Sequence, residues 1–542
     1  MRTELRLMLL TAFLSLSVAA SVGAQAPGVG QVSFSNSGAA AAQQDFLTGL
    51  AQLHNFEYGP AAEFFRKAQQ ADPNFAMAYW GEAMTHTHAV WMEQDAAAAR
   101  AILQRLGPTP QARLEKAKTE REKDYLRAVE VLYGDGDKKA RDFAYADAMA
   151  GVLRKYPEDI DAAAFTALAL LGTAHDGRDF AIYMRSAAIL EPLFPSHQKH
   201  PGIAHYLIHS YDDPVHAPLG LRAAREYSKI APSAAHAQHM CSHIFVAMGL
   251  WDDVVEANEA AVKITRGPVP ANRPAAACGH YPSWLTYGYL QQGRVEAART
   301  MVTACHQAAS AAQTPTWGAV VAMRSRYLLD TDEWSGEVAA ITIPSSAQPP
   351  AAFTYEFANA FSAIRRGDLP VARAALARME AARQAIEAPA NKPADPAHAS
   401  MPGMATPEMQ LDAGSTGRRK ILHDEIQALI RQKEGQEREG IDLLRAAATL
   451  EETLPFEFGP PFVDKPAYEL LGETLLASNQ PKEARAAFEK ALSRTPDRTA
   501  VLVGLMKAAA QMGDRKKEGE INLRLQAIWH RADRKPTELQ RY

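Results

Sequence analysis

Cysteine is scarce in this chain: Cys241, Cys278 and Cys305 are the only three thiols in 542 residues. A framework of cross-links is thereby excluded, and stability has to come from packing. A basic excess is also missing, since 58 Lys and Arg face 62 Asp and Glu, a formal charge of −4. Nothing in that balance would hold a phosphate backbone, so nucleic acid is not an expected partner. Beyond the N-terminal segment no stretch reaches the roughly 18 apolar residues of a membrane span, and no membrane insertion of the mature chain is expected. Strand signals are nearly absent, which makes the fold class all-α. There is no H-E-x-x-H, no phosphate-binding glycine loop and no Cys-x-x-Cys pair. What remains is a chain with 47% hydrophobic residues, enough to bury a large core.

The N-terminus reads as a targeting segment. Arg2 and Arg6 precede a nearly all-apolar run from Leu7 to Ala20, and Val22, Gly23 and Ala24 offer small residues for cleavage. This layout predicts a signal peptide over residues 1–24, cut near Ala24, and a mature protein that is periplasmic or secreted. No cysteine stands near the cut to carry a lipid.

Internal repetition organises the rest. Between Tyr468 and Pro496 the chain spaces Leu471, Gly472, Ala484, Phe488 and Ala491 as two packed helices require. Gly472 lets a second helix come close, Ala484 and Ala491 do so from the other side, and Phe488 fills the gap. Pro496 cannot continue a helix and ends the unit. Gly49, Ala61, Phe65, Ala68 and Pro73 repeat the pattern near the N-terminus. The pattern closely resembles the tetratricopeptide repeat, a helix–turn–helix unit of about 34 residues. That resemblance implies a right-handed α-solenoid of helix pairs around a concave groove, with a peptide or protein ligand in the groove. Weaker units keep the frame through Gly220, Ala224 and Pro232, then Ser242, Gly249 and Ala261, then Gly293 and Ala298.

The chain divides accordingly. A tail over 25–41 leads into N-terminal units over 42–100, a degenerate helical region over 101–157 and histidine-rich units over 158–265. An insertion loop over 266–277, further units over 278–387, a flexible linker over 388–417 and C-terminal units over 418–542 complete it. In the repeat frame Cys278 precedes the first helix of its unit and Cys305 lies near the end of the second. Those ends are neighbours in an antiparallel pair, so a Cys278–Cys305 disulfide is expected, with Cys241 left as a packed thiol.

Nine of the 17 histidines fall between His197 and His280. The frame set by Gly220, Pro232, Ser242, Gly249 and Ala261 makes Pro201 and Ala235 the first residues of consecutive units. His205 and His209 then occupy positions five and nine of one first helix. His239 and His243 occupy the same positions in the next, and His236 is its second residue. Counting past the insertion puts His280 at position two of the third unit. These positions share one helix face, which the repeat resemblance assigns to the concave groove. His205 is expected to face His239, and His209 to face His243. Imidazole is the commonest ligand for transition metals, and His at i and i+4 can chelate one ion.

The patch is therefore read as a metal site of His205, His209, His236, His239, His243, His280 and Asp212, for zinc, copper or iron. Asp212 is open to three roles: ligand, support for a ligand, or general base. Trp80, His88, Asp213 and Trp317 are assigned to the groove lining, with core packing the alternative for the two tryptophans. His216 is placed in a turn, and His197 and His200 at the surface. Met401, Met404 and Met409 beside His398 resemble the Met-rich tracts of exported copper handlers. The leading function is an exported repeat protein whose groove binds a transition metal. A metal-dependent hydrolytic or oxidative enzyme on the same histidines is the first alternative, and a peptide-binding scaffold without metal the second.

Overall fold

The computed structural model describes residues 26–265, 277–313, 317–388 and 413–533. The expected signal peptide, most of the insertion loop, and the His398 and Met401–Met409 cluster lie outside the described residues. Among the described residues there are 24 α-helices and one two-stranded hairpin, Thr87–His88 paired with Glu93–Gln94. The all-α expectation holds, and no described helix is long and apolar enough to cross a membrane.

Capping residues mark the helices where repeat residues are degenerate. Asp95, Thr109, Thr119, Asp137 and Asp159 each accept the backbone N–H three residues on. Each satisfies an orphan donor at a helix start. The stretch 101–157 lacks a clean repeat frame, yet these caps define regular helices through it, including Glu120–Leu132 and Lys138–Lys155.

Where the frame is clean, aromatic-on-glycine packing sets it. A Cβ on Gly49 would lie 3.0 Å from the Phe65 ring, and one on Gly81 only 2.4 Å. The same ring clasp recurs at Phe488, at 2.6 Å from Gly472 and 2.3 Å from Gly504. Gly81 and Gly504 lie in the helices Ala76–Met84 and Thr499–Gln511, which open the following units. Each phenylalanine thus joins its own helix pair to the next one, which is how a repeat buries a face it cannot bury alone. Gly504→Ala should force the Phe488 ring out of place and cost about 1–3 kcal/mol. Denaturant unfolding measures it, and an unchanged midpoint would mean that the ring has room to yield.

The solenoid closes on itself. The indole of Trp251 donates to the carbonyl of Asp497 at 2.9 Å, and that of Trp529 to the carbonyl of Gln291 at 2.9 Å. Gly249, at φ 68°, has no room for a side chain, since a Cβ would stand 2.5 Å from Asp497. Arg498 reaches Glu469 at 2.5 Å and Asp330 at 2.5 Å while fully buried. The C-terminal units therefore press against the central ones. At the other end, residues 26–41 are no loose tail: Val29, Val32 and Phe34 are buried. Gln31 donates its backbone N–H to the Lys199 carbonyl at 2.9 Å, and Phe34 stacks on Trp80 at 5.8 Å. The linker expected over 388–417 ends early, because the helix Ala413–Lys433 already includes its last residues. Cys278 and Cys305 form the expected disulfide with Cα atoms 4.6 Å apart, and Cys241 is a free buried thiol.

Candidate metal centre

The helices Pro201–Tyr211 and Ala235–Ala247 carry the centre, and every residue of both is buried. Pro201 suits the first turn, where its missing N–H is not needed. The second helix starts where the carboxylate of Glu57 accepts the backbone N–H of His236 at 3.1 Å. The face expected to line an open groove is filled by the chain's own aromatic side chains. Phe56 lies 4.3 Å from His205, and Trp91, at the turn of the hairpin, 5.9 Å from His236. Trp284 stacks on His243 at 4.4 Å, and Phe458 lies 5.0 Å from it. These histidines are therefore interior residues, contrary to their reading as groove surface.

Six of the expected ligands gather as two groups of three. His205, His209 and His236 form one, and His239, His243 and His280 the other, with ligand atoms inside each group within 4.8 Å of one another. In the first, the Nε2 of His205 lies 3.1 Å from that of His209 and 3.2 Å from that of His236. In the second, the Nε2 atoms of His239 and His243 are 3.0 Å apart. The expected pairing across repeats is half met: His209 and His243 face each other at 6.1 Å between ring centres. His236 rather than His239 closes on His205, with ring centres 5.0 Å apart, because position two of one unit reaches toward position five of the unit before.

Proton accounting separates the second group from ordinary hydrogen-bonded histidines. His205 can only donate from Nδ1, because that atom faces the backbone carbonyl of His54 at 2.7 Å. His239 Nδ1 faces the Asn258 side-chain oxygen at 2.7 Å, and the amide is oriented by its own donation to the Val254 carbonyl at 2.8 Å. His243 Nδ1 faces Asp212 Oδ2 at 2.5 Å. In the neutral rings Nδ1 then carries the proton, and the Nε2 atoms of His239 and His243 meet lone pair to lone pair. A cation between them resolves that contact. Burial pushes His239 well below its ordinary value, with His280 and His243 adding to the effect. Burial likewise lowers His205 and His280 to about 3, and His209 and His236 well below 6.5.

A third cluster, His54, Asp161 and His200, behaves differently. His54 Nε2 donates to Asp161 Oδ1 at 2.9 Å, and its Nδ1 accepts from the Tyr206 hydroxyl at 2.9 Å. His200 Nε2 approaches the same carboxylate oxygen at 3.4 Å. Against the pull of burial, these hydrogen bonds hold the Asp161 carboxyl below the usual range. Each close contact here sets a donor against an acceptor. His200 is thus a buried partner of Asp161, not the surface residue its Pro-rich surroundings suggested.

Several other assignments need correction. Asp212 stands behind His243, hydrogen-bonded at its Nδ1, and not beside the Nε2 atoms that converge in the group. Asp213 is buried and ties Arg178 and the turn residue His216 together, away from any groove. Trp80 packs in the core among Phe34, Tyr125 and Phe165. His88 lies in the hairpin, against Tyr58 and bonded to Glu93 at 3.2 Å. Trp317 lies against His306, 6.2 Å between rings, in a different apolar cluster. Asn258 had a legible signal that was missed: it interrupts the apolar stripe of Val254 and Ala261, where a buried amide needs a partner. The His54 carbonyl and Asp161 left no such trace in their own neighbourhoods.

No family model and no curated protein sequence matches the chain. Solved structures similar to it include the APC/C hetero-tetramer Cut9–Hcn1, at 11% identity over 88% of this chain and 78% of that one, with a TM-score of 0.32. The P58(IPK) TPR domain is similar at 13% identity over 88% and 99%, with a TM-score of 0.21. Yeast Tom70 is similar at 10% identity over 86% and 88%, with a TM-score of 0.28. Superpositions this loose leave the architecture to be argued from the helices themselves. Its helix pairs, stacked by glycine–phenylalanine clasps, make the chain an all-α solenoid.

Proposed function

We propose that this chain is an exported repeat protein that binds transition-metal ions at its two three-histidine groups. The reading rests above all on the opposed Nε2 lone pairs of His239 and His243, each fixed by a hydrogen bond at the other ring nitrogen. A ligating histidine supported by a carboxylate or carbonyl at its far nitrogen is the usual arrangement around a bound metal. Spacing agrees as well. Two nitrogens bound to one tetrahedral zinc at 2.0–2.1 Å stand about 3.3 Å apart, close to the 3.0–3.2 Å found within the groups. Export is supported by the N-terminal sequence alone. Elemental analysis of untagged protein from the periplasmic fraction, before and after exposure to zinc, copper and iron, tests the reading. A chain that stays metal-free through all three would end it.

Acid should release the metal late. A histidine ligates only when neutral, and burial keeps His205, His209, His236, His239 and His280 neutral well below their ordinary value of 6.5. Protons therefore compete weakly, and retention is expected from neutral pH down to about pH 5. Half-release near the ordinary imidazole midpoint would contradict the buried placement. The sign for the metal-free fold is the same: depressed histidines stabilise it above pH 6.5, and that stability falls as the pH drops toward their folded values.

A further inference from the structure

The two groups repeat one another. Each takes positions five and nine of one first helix and position two of the next: His205, His209, His236, then His239, His243, His280. One repeat step supplies the whole donor set a second time, and the insertion before His280 leaves that set assembled. Ions held there would stand about one helix spacing apart, roughly 8–10 Å. The wall between them consists of the ring pairs His209/His243 at 6.1 Å and His236/His239 at 6.3 Å.

Charge then selects the ion. Every donor in both groups is an imidazole nitrogen, which ligates as an uncharged ring, and among the described residues no thiolate or carboxylate oxygen joins them. Asp212 stands behind the second group, whereas a neutral carbonyl stands behind His205 in the first. The guanidinium of Arg178 also lies near the first group, donating to the Ser210 carbonyl at 3.0 Å and pairing with Asp213. Burying an unneutralised ion is costly, and the electrostatic cost grows with the square of its charge. A monovalent ion is therefore favoured over a divalent one. Three nitrogens can complete the shell of monovalent copper, whereas zinc on three histidines takes a fourth ligand such as water, and imidazole is among the ligands that copper accepts.

We infer that both groups are copper(I) sites, so that one chain carries two copper ions a single repeat apart. This deepens, and rests on, the metal reading above. The full chain is titrated without oxygen with Cu(I) buffered by bicinchoninate, and separately loaded with Zn(II) before excess Cu(I) is added. Two Cu(I) per chain should be withheld from the chelator, and Cu(I) should displace the zinc. Ferricyanide then removes one electron from each ion, itself becoming ferrocyanide. The paramagnetic resonance spectrum of the two Cu(II) ions should be broadened by their mutual dipolar coupling. Replacing His239 and His243 by Asn should leave one copper with the sharp hyperfine lines of an isolated ion. Should that variant fail to fold, stoichiometry and zinc competition on the unaltered chain decide the matter. Zinc retained against Cu(I), or a single Cu(I) per chain, overturns the copper inference and leaves the metal reading standing. Failure to retain copper, zinc or iron removes both.

Discussion

Replacing His209 and His243 together by alanine should abolish metal retention, because each group loses one of its three ligands. Affinity at either group should fall by at least about tenfold, the minimum expected even when only a supporting residue is removed. Both rings are about 2% exposed, so the change also empties interior volume, and a stability loss of about 2–5 kcal/mol is expected by analogy with other large-to-alanine core changes. The double glutamine variant restores much of that volume and separates the two effects. It should fold better and still lose the metal. Asp212→Asn provides a graded companion: the amide cannot take the full share of charge from His243, and affinity at the second group should drop about 10–100-fold. Metal content measured after gel filtration reads all three. An unchanged content in the double alanine variant would sink the site assignment.

The largest effect on the fold itself is expected from Arg498→Met. This guanidinium is 1% exposed and holds Glu469 and Asp330, with the Tyr287 hydroxyl at 3.4 Å. Burial alone would raise Glu469, yet Arg498 and Lys465 hold its carboxyl down to about 2. Removing the cation leaves buried carboxylates short of a partner, a loss of about 3–5 kcal/mol. The damage should concentrate where the C-terminal units meet the central ones, since Tyr287 and Asp330 belong to the latter. Protease susceptibility there should rise together with the shift in denaturant midpoint. Arg498→Lys keeps a charge but not the fork, and should fall between the two. A loss below about 1 kcal/mol would place the contact among those worth no more than surface ion pairs.

How much of this was legible beforehand depends on whether a signal was local. Gly472 and Phe488 announce their packing because repeat spacing fixes which residues touch. The histidine spacing placed His205, His209, His239 and His243 on one face for the same reason, and i to i+4 geometry brought each pair together. Position two of the next unit also proved legible, through His236 and His280. The curl of the solenoid did not. Nothing in the spacing of the central units tells that Phe458 and Trp91 cover their inner face, since both arrive from distant segments. Reading that face as open made buried histidines look like surface residues. The same blindness hid His200, whose partner Asp161 lies on another helix, and misplaced Trp80, whose neighbour Phe34 comes from the presumed tail.

His205 presents its lone pair only because its other nitrogen gives a proton to the carbonyl of His54, 151 residues earlier in the chain. His54 ends its helix, so that carbonyl has no acceptor duty within the helix and is free for the task. The ring orientation at the first group is therefore set by the opening unit of the molecule, and the third ligand comes from the unit after. No segment short of that whole span is competent. A chain that has misfolded at its start, or is still emerging, offers two histidines of uncertain tautomer and no cage. If this group binds a metal as proposed, its occupancy is a gauge of finished assembly: the ion would be captured firmly only after the first turn of the coil has closed over the centre.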